Sequence, residues 1–126
     1  MKPFLKLLFL LMLFTLMSYT NTENNCKIAH HGTFVYGSGS TFVKVVITDK
    51  DHTEYHNNGK YYIKSKIKWI NDCEFVVTFI DFTVPDFEYT RDDQMHVKVN
   101  QIINKEIFFT STINKKSWNG KLIKIK

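Results

Sequence analysis

The fold turns on one stretch: Tyr61-Tyr62-Ile63-Lys64-Ser65-Lys66-Ile67-Lys68-Trp69-Ile70-Asn71-Asp72-Cys73-Glu74-Phe75-Val76-Val77-Thr78-Phe79-Ile80. Its first half alternates strictly. Tyr61, Ile63, Ser65, Ile67 and Trp69 fall on one side, and Tyr62, Lys64, Lys66 and Lys68 on the other. A period of two is that of a strand with one buried and one wetted face. Lysines at alternate positions keep the outer face in water and discourage edge pairing. Asn71-Asp72 is a turn pair, after which Cys73 to Thr83 resumes as an apolar strand, Phe75, Val77 and Phe79 alternating with Val76, Thr78 and Ile80. Two strands joined by so short a connection pair as antiparallel neighbours.

The same alternation extends outward in both directions. Upstream, Thr33 to Gly37 reads as a first strand, Gly37-Ser38-Gly39-Ser40 as a turn, and Phe42 to Thr48 as a second strand. Asp49-Lys50-Asp51 turns into a short third strand, Thr53 to His56. Asn57-Asn58-Gly59-Lys60 is a hairpin signal, because Asn-Gly accepts the positive φ of a type I′ turn. Downstream, Val84 to Asp93 is the longest irregular segment. Met95 to Ile103 follows with Met95, Val97 and Val99 inward and His96, Lys98 and Asn100 outward. Glu106 to Ile113 comes next, then a turn region Asn114 to Gly120 holding Trp118, then a last strand Lys121 to Ile125. The expectation is an all-β, antiparallel up-and-down meander of about eight strands closing into a barrel. Eight strands leave an interior that side chains fill or that holds one small ligand. A two-sheet β-sandwich is the alternative architecture.

Residues 1–20 are expected to be a signal peptide and 21–126 a single barrel domain. Lys2 supplies a positive start, and Phe4 to Met17 is Leu, Phe and Met interrupted by Lys6 and Thr15. Ser18 and Thr20 are small residues at which a peptidase could cut. The apolar run falls short of the ~20 residues of a membrane span. Membrane contact is therefore expected only if the leader stays uncleaved. Cys26 follows Glu23, Asn24 and Asn25 rather than the small or apolar residues of a lipobox. Export to the periplasm or the extracellular space leaves two cysteines, Cys26 and Cys73, in an oxidising compartment, which implies one bridge. Without Lys2 and Lys6 the chain carries 15 basic and 12 acidic residues, net +3. So weak a bias does not point to nucleic acid as a partner, which would need a clustered basic face as well.

Asn25-Cys26-Lys27, Gly32-Thr33-Phe34 and Ile67-Lys68-Trp69-Ile70-Asn71-Asp72-Cys73-Glu74-Phe75 together resemble a family of small exported proteins of Bacteroidota, mainly flavobacteria. That family combines a Cys and a nearby Gly-x-Phe with Trp-Ile-x-Asp-Cys. The resemblance implies a strand start and a strand-turn-strand carrying the bridging cysteine, and it implies no catalytic residue. Lys27-Ile28-Ala29-His30-His31 stands where the family more often has a Phe and a Lys-Thr before the glycine. The DNA topoisomerase name borne by some members does not fit a chain with a secretory leader and no metal-binding acidic motif. Gly32-Thr33-Phe34 is also similar to the Gly-x-Trp of lipocalins, which fits a lipocalin- or calycin-like barrel.

Four groups of residues invite a chemical reading. His52, Glu54 and His56 share one face of a strand, but the two histidines lie ~13 Å apart along it. They are expected to be solvent-exposed polar residues near a turn, with no metal. His30 and His31 lie near Cys26 without a nucleophile arrangement, so no catalytic residues are assigned. Asp81, within an apolar strand, is expected to end that strand and face water. The Pro85 to Asp93 loop carries Phe87, Tyr89 and Arg91, and with Trp118 it is the candidate binding surface, since exposed aromatics on loops are what binding sites use. The alternative is that Phe87 and Tyr89 fold back as a plug over one barrel end. The expected function is a non-enzymatic, monomeric binding module for a small apolar ligand or an exported protein partner, without cofactor. The rivals are an inhibitor of a secreted hydrolase and an enzyme of unknown type.

Overall fold

The computed structural model describes residues 25–37 and 41–126. The expected leader, and the Ser38 to Ser40 part of the expected first turn, lie outside the described residues. A short 3₁₀ turn, Cys26–Ala29, precedes eight strands: β1 (Gly32–Tyr36), β2 (Val43–Ile47), β3 (Asp51–His56), β4 (Tyr61–Asn71), β5 (Glu74–Phe82), β6 (Gln94–Ile103), β7 (Glu106–Ile113) and β8 (Lys116–Lys124). Each pairs antiparallel with the next, and β1 pairs with β8 to close the barrel. The ladder of that closing seam is short, Phe34 opposite Lys124 and Val35 opposite Ile123, and backbone hydrogen bonds between Thr33 and both Ile125 and Lys126 extend it.

The hairpin that decides the fold has the expected register. Ile67 faces Val77 and Trp69 faces Phe75 across the β4–β5 ladder. Ile63, Ser65 and Ile67 are buried while Lys64, Lys66 and Lys68 are exposed. The barrel is thus apolar inside and basic outside along this strand, the reverse of a barrel that faces lipid. Among the described residues no helix is long and apolar enough to cross a membrane.

A register shift in this ladder decides which way the upper part of β5 faces. Ser65 pairs with Phe79 and Lys64 with Asp81, so Ile80 is an extra residue, a β-bulge. Asp81 therefore lies outside, as expected, where it accepts from the Tyr62 hydroxyl at 2.9 Å and meets Arg91 at 3.5 Å. Phe82, opposite inward-facing Ile63, joins the interior.

Two turns differ from the reading of the sequence. The Asn57 to Lys60 connection is not a two-residue type I′ turn. Asn57, Asn58 and Gly59 are all left-handed, and all four residues join His56 to Tyr61. The expected turn region Asn114 to Gly120 is also too long. Asn114 and Lys115 alone make the turn, at φ 48° and 70°. The last strand accordingly begins at Lys116 rather than Lys121, and Trp118 stands on a strand opposite Ser111. Two consecutive left-handed residues make the tight hairpin, and Asn114 is a residue type that tolerates that conformation.

One barrel end is plugged. Cys26 and Ala29 of the 3₁₀ turn are buried, and Cys26 is bonded to Cys73 with Cα atoms 5.2 Å apart. The His30 ring stacks on Trp69 with centroids 3.6 Å apart, and its Nε2 bonds the Asp72 carbonyl at 2.8 Å. Lys124 Nζ donates to the Ile28 carbonyl at 2.9 Å and lies 5.8 Å from the centre of the fully buried Phe34 ring. Gly32, at φ 135°, admits this packing: a Cβ there would sit 2.3 Å from the Lys126 carbonyl oxygen.

Candidate functional site

The interior of the barrel is not filled. A cavity of about 430 Å³ runs along its inner wall. That volume falls in the range of small-molecule sites, about 300–1,000 Å³. Its body is apolar: Phe34, Val45, Ile63, Phe79, Val97 and Ile107 are among the residues that line it. Every one comes from the inward positions of an alternating strand, so the period that buries the core also builds the wall.

The cavity approaches the surface at the end opposite the plug. Trp118 lines it and is 42% exposed. Val84, Phe87 and Tyr89 of the β5–β6 connection line it too. Phe87 packs edge-on against Phe79, with centroids 5.3 Å apart, and against Phe82 at 4.7 Å. Tyr89 stacks on Phe79 at 5.9 Å. Both rings fold back over the barrel while Arg91 stays exposed and reaches Asp81. Thus Phe87, Tyr89 and Trp118 meet at one cavity, and Arg91 lies outside it.

Gly120 lets Phe109 lie flat across β8. A Cβ at Gly120 would meet the Phe109 ring at 2.5 Å. Any side chain there would push that ring into the cavity, which both residues line.

The polar part of the wall corrects an expectation. His52, Glu54 and His56 do share one strand face, but that face points into the barrel, and none of the three is solvent-exposed. The cause is the register of the β2–β3 hairpin, where inward Ile47 stands opposite His52 and inward Val45 opposite Glu54. That signal was present in the sequence, since residues opposite one another across a hairpin share a face. Tyr36, which sequence reasoning missed, joins them from the end of β1.

The Tyr36 hydroxyl donates to Glu54 Oε1 at 2.6 Å. Burial, and then the charge of Glu54 and the hydrogen bond to it, hold the Tyr36 hydroxyl far above the ordinary phenol range, so it stays a donor. His56 Nε2 is 3.9 Å from the same Glu54 oxygen, too long for a hydrogen bond, and this buried nitrogen has no protein partner. His52 lies deeper, 6.1 Å from Phe75. Burial pushes its pKa down against the opposing pull of Glu54, which keeps the ring neutral at physiological pH. Among the described residues no group of three or more His, Cys, Asp or Glu side chains is placed to hold a metal ion.

Fold and cavity together define a class: a closed antiparallel barrel, plugged at one end, with an apolar chamber that bears, among the described residues, one carboxylate. Comparison of the chain with protein-family models, curated proteins and solved structures finds no match.

Proposed function

We propose that this protein is an exported, lipocalin-like binding module that carries one small, largely apolar molecule inside its barrel. The observation that supports this most is the apolar chamber of about 430 Å³ lined by the buried core residues of the barrel. Well-packed interiors seldom leave a void larger than a water molecule. The Cys26–Cys73 bond fits an oxidising compartment and the expected leader. The similarity of Gly32-Thr33-Phe34 to the lipocalin motif and the likeness to exported Bacteroidota proteins belong to the same reading. Inhibition of a secreted hydrolase through residues 85–93 has less support, because Phe87 and Tyr89 turn inward onto Phe79 and Phe82.

The test is a fluorescence titration with neutral N-phenyl-1-naphthylamine. Saturable binding at one site per chain is expected, with loss of that binding in V99W, which fills the chamber. Absence of saturable binding to the native protein would end the proposal.

A further inference from the structure

The chamber's polar wall defines what the apolar ligand carries. We infer that this site selects molecules with an apolar body and a single protonated nitrogen, which docks between Glu54 and His56. The inference rests on the chamber being a ligand site.

Three observations carry it. First, among the described residues Glu54 is the one acidic residue lining the chamber, and its one hydrogen-bond donor is the Tyr36 hydroxyl. Among the described residues no Lys or Arg pairs with this carboxylate. The one lysine of the wall, Lys121, directs its ammonium to Glu106 on the outer face at 3.1 Å, and Lys124 is engaged at the plug. A carboxylate in an apolar surround gains most from a cation, since attraction grows as the local dielectric falls.

Second, His56 Nε2 is a buried polar atom without a partner. Such an atom is costly unless something bonds it, and a ligand donor would do so. Third, the spacing fits one nitrogen bonded to both groups. An ammonium at about 2.9 Å from each of two acceptors easily spans a gap of this size, and Nε2 and Oε1 are 3.9 Å apart. With its proton on Nδ1, the His56 ring presents Nε2 as the second acceptor. A carboxylate-headed ligand such as a fatty acid would meet the Glu54 charge instead and be disfavoured. Phe79 and Phe109 line the chamber and would contact an aromatic or alkyl body.

The experiment is calorimetric titration at pH 7.5 with three molecules that share one body: 4-phenylbutylamine, 4-phenyl-1-butanol and 4-phenylbutyrate. The amine is expected to bind at least about tenfold tighter than the alcohol, as a charge-assisted hydrogen bond should give, with the butyrate weakest. In E54Q the amine-to-alcohol ratio should fall to about one. The ratio in the native protein is decisive whatever the stability of the variant. Equal binding of amine and alcohol would overturn the inference while leaving the apolar chamber a ligand site. If none of the three bind, and N-phenyl-1-naphthylamine also fails, both readings fall.

Discussion

At the plugged end of the barrel, the 3₁₀ turn Cys26–Ala29 is held by a disulfide, a histidine–tryptophan stack and a lysine hydrogen bond. At the loop end, the connection between β5 and β6 lies over the chamber without any covalent tie. Its rings rest on Phe79 and Phe82, and two backbone bonds, from Asp92 to Phe79 and from Phe79 to Asp93, secure its far side. The two ends meet different physical demands. Sealing an end needs contacts that do not open. Covering a chamber needs apolar contacts that exclude water yet separate at modest cost, as low-stability segments do.

This contrast is most sharply tested by removing the bond. Replacing Cys26 and Cys73 together by alanine should lower stability by about 4 kcal/mol, the chain-entropy figure for a loop of this length, measured by urea denaturation. The chamber should still bind its ligand under conditions where the variant remains folded, because Glu54, Tyr36 and His56 stand apart from the plug. Loss of binding in a folded double variant would mean that the two ends are coupled.

The second test addresses the cover. Replacing Phe87 and Tyr89 together by alanine should cost about 3 kcal/mol, since both rings are only partly buried. It should also raise the dissociation rate of N-phenyl-1-naphthylamine, followed by stopped flow. Unchanged ligand kinetics alongside the stability loss would show that the rings act only as packing.

The smallest effect concerns His52, paired with Ile47 near the plugged end. Because burial lowers its pKa, the unfolded chain takes up this proton first, below the ordinary histidine value of about 6.5. Stability should therefore fall as pH drops from 7 to 5, by at most about 1.4 kcal/mol per pH unit for this one group. His52→Phe should flatten the dependence in that window. The hydrogen bond between Glu74 and His96 does not interfere, because it holds the Glu74 carboxyl below the usual carboxylate range and its loss comes at lower pH.

Much of the plugged end was legible in the sequence. Alternation in Tyr61 to Trp69 sets the face, Asn71-Asp72 sets the turn, and an even pair of cysteines sets the bond. These are local signals. The loop end and the polar wall of the chamber were less legible because their features depend on register between strands. His52, Glu54 and His56 look like surface residues until Ile47 is placed opposite His52. Trp118 looks like a turn residue because Lys116, Ser117, Asn119 and Gly120 surround it. Only the left-handed pair Asn114 and Lys115 shows that the strand has already begun. The bulge at Ile80 carries no residue-type signal, yet it turns Asp81 outward and Phe82 inward.

The disulfide also fixes how far the chain can be drawn out. It encloses β1 to β4 in a covalent ring, with its two ends 47 positions apart in sequence. Stretched between its termini, the oxidised chain cannot release the contour stored in that ring, roughly 160 Å at the length of an extended residue. A pulling trace on the oxidised protein should therefore end short by that amount and regain it on reduction. In mechanical terms the barrel is two unequal halves, one a closed hoop and the other a tether that peels strand by strand from the short seam between β8 and β1.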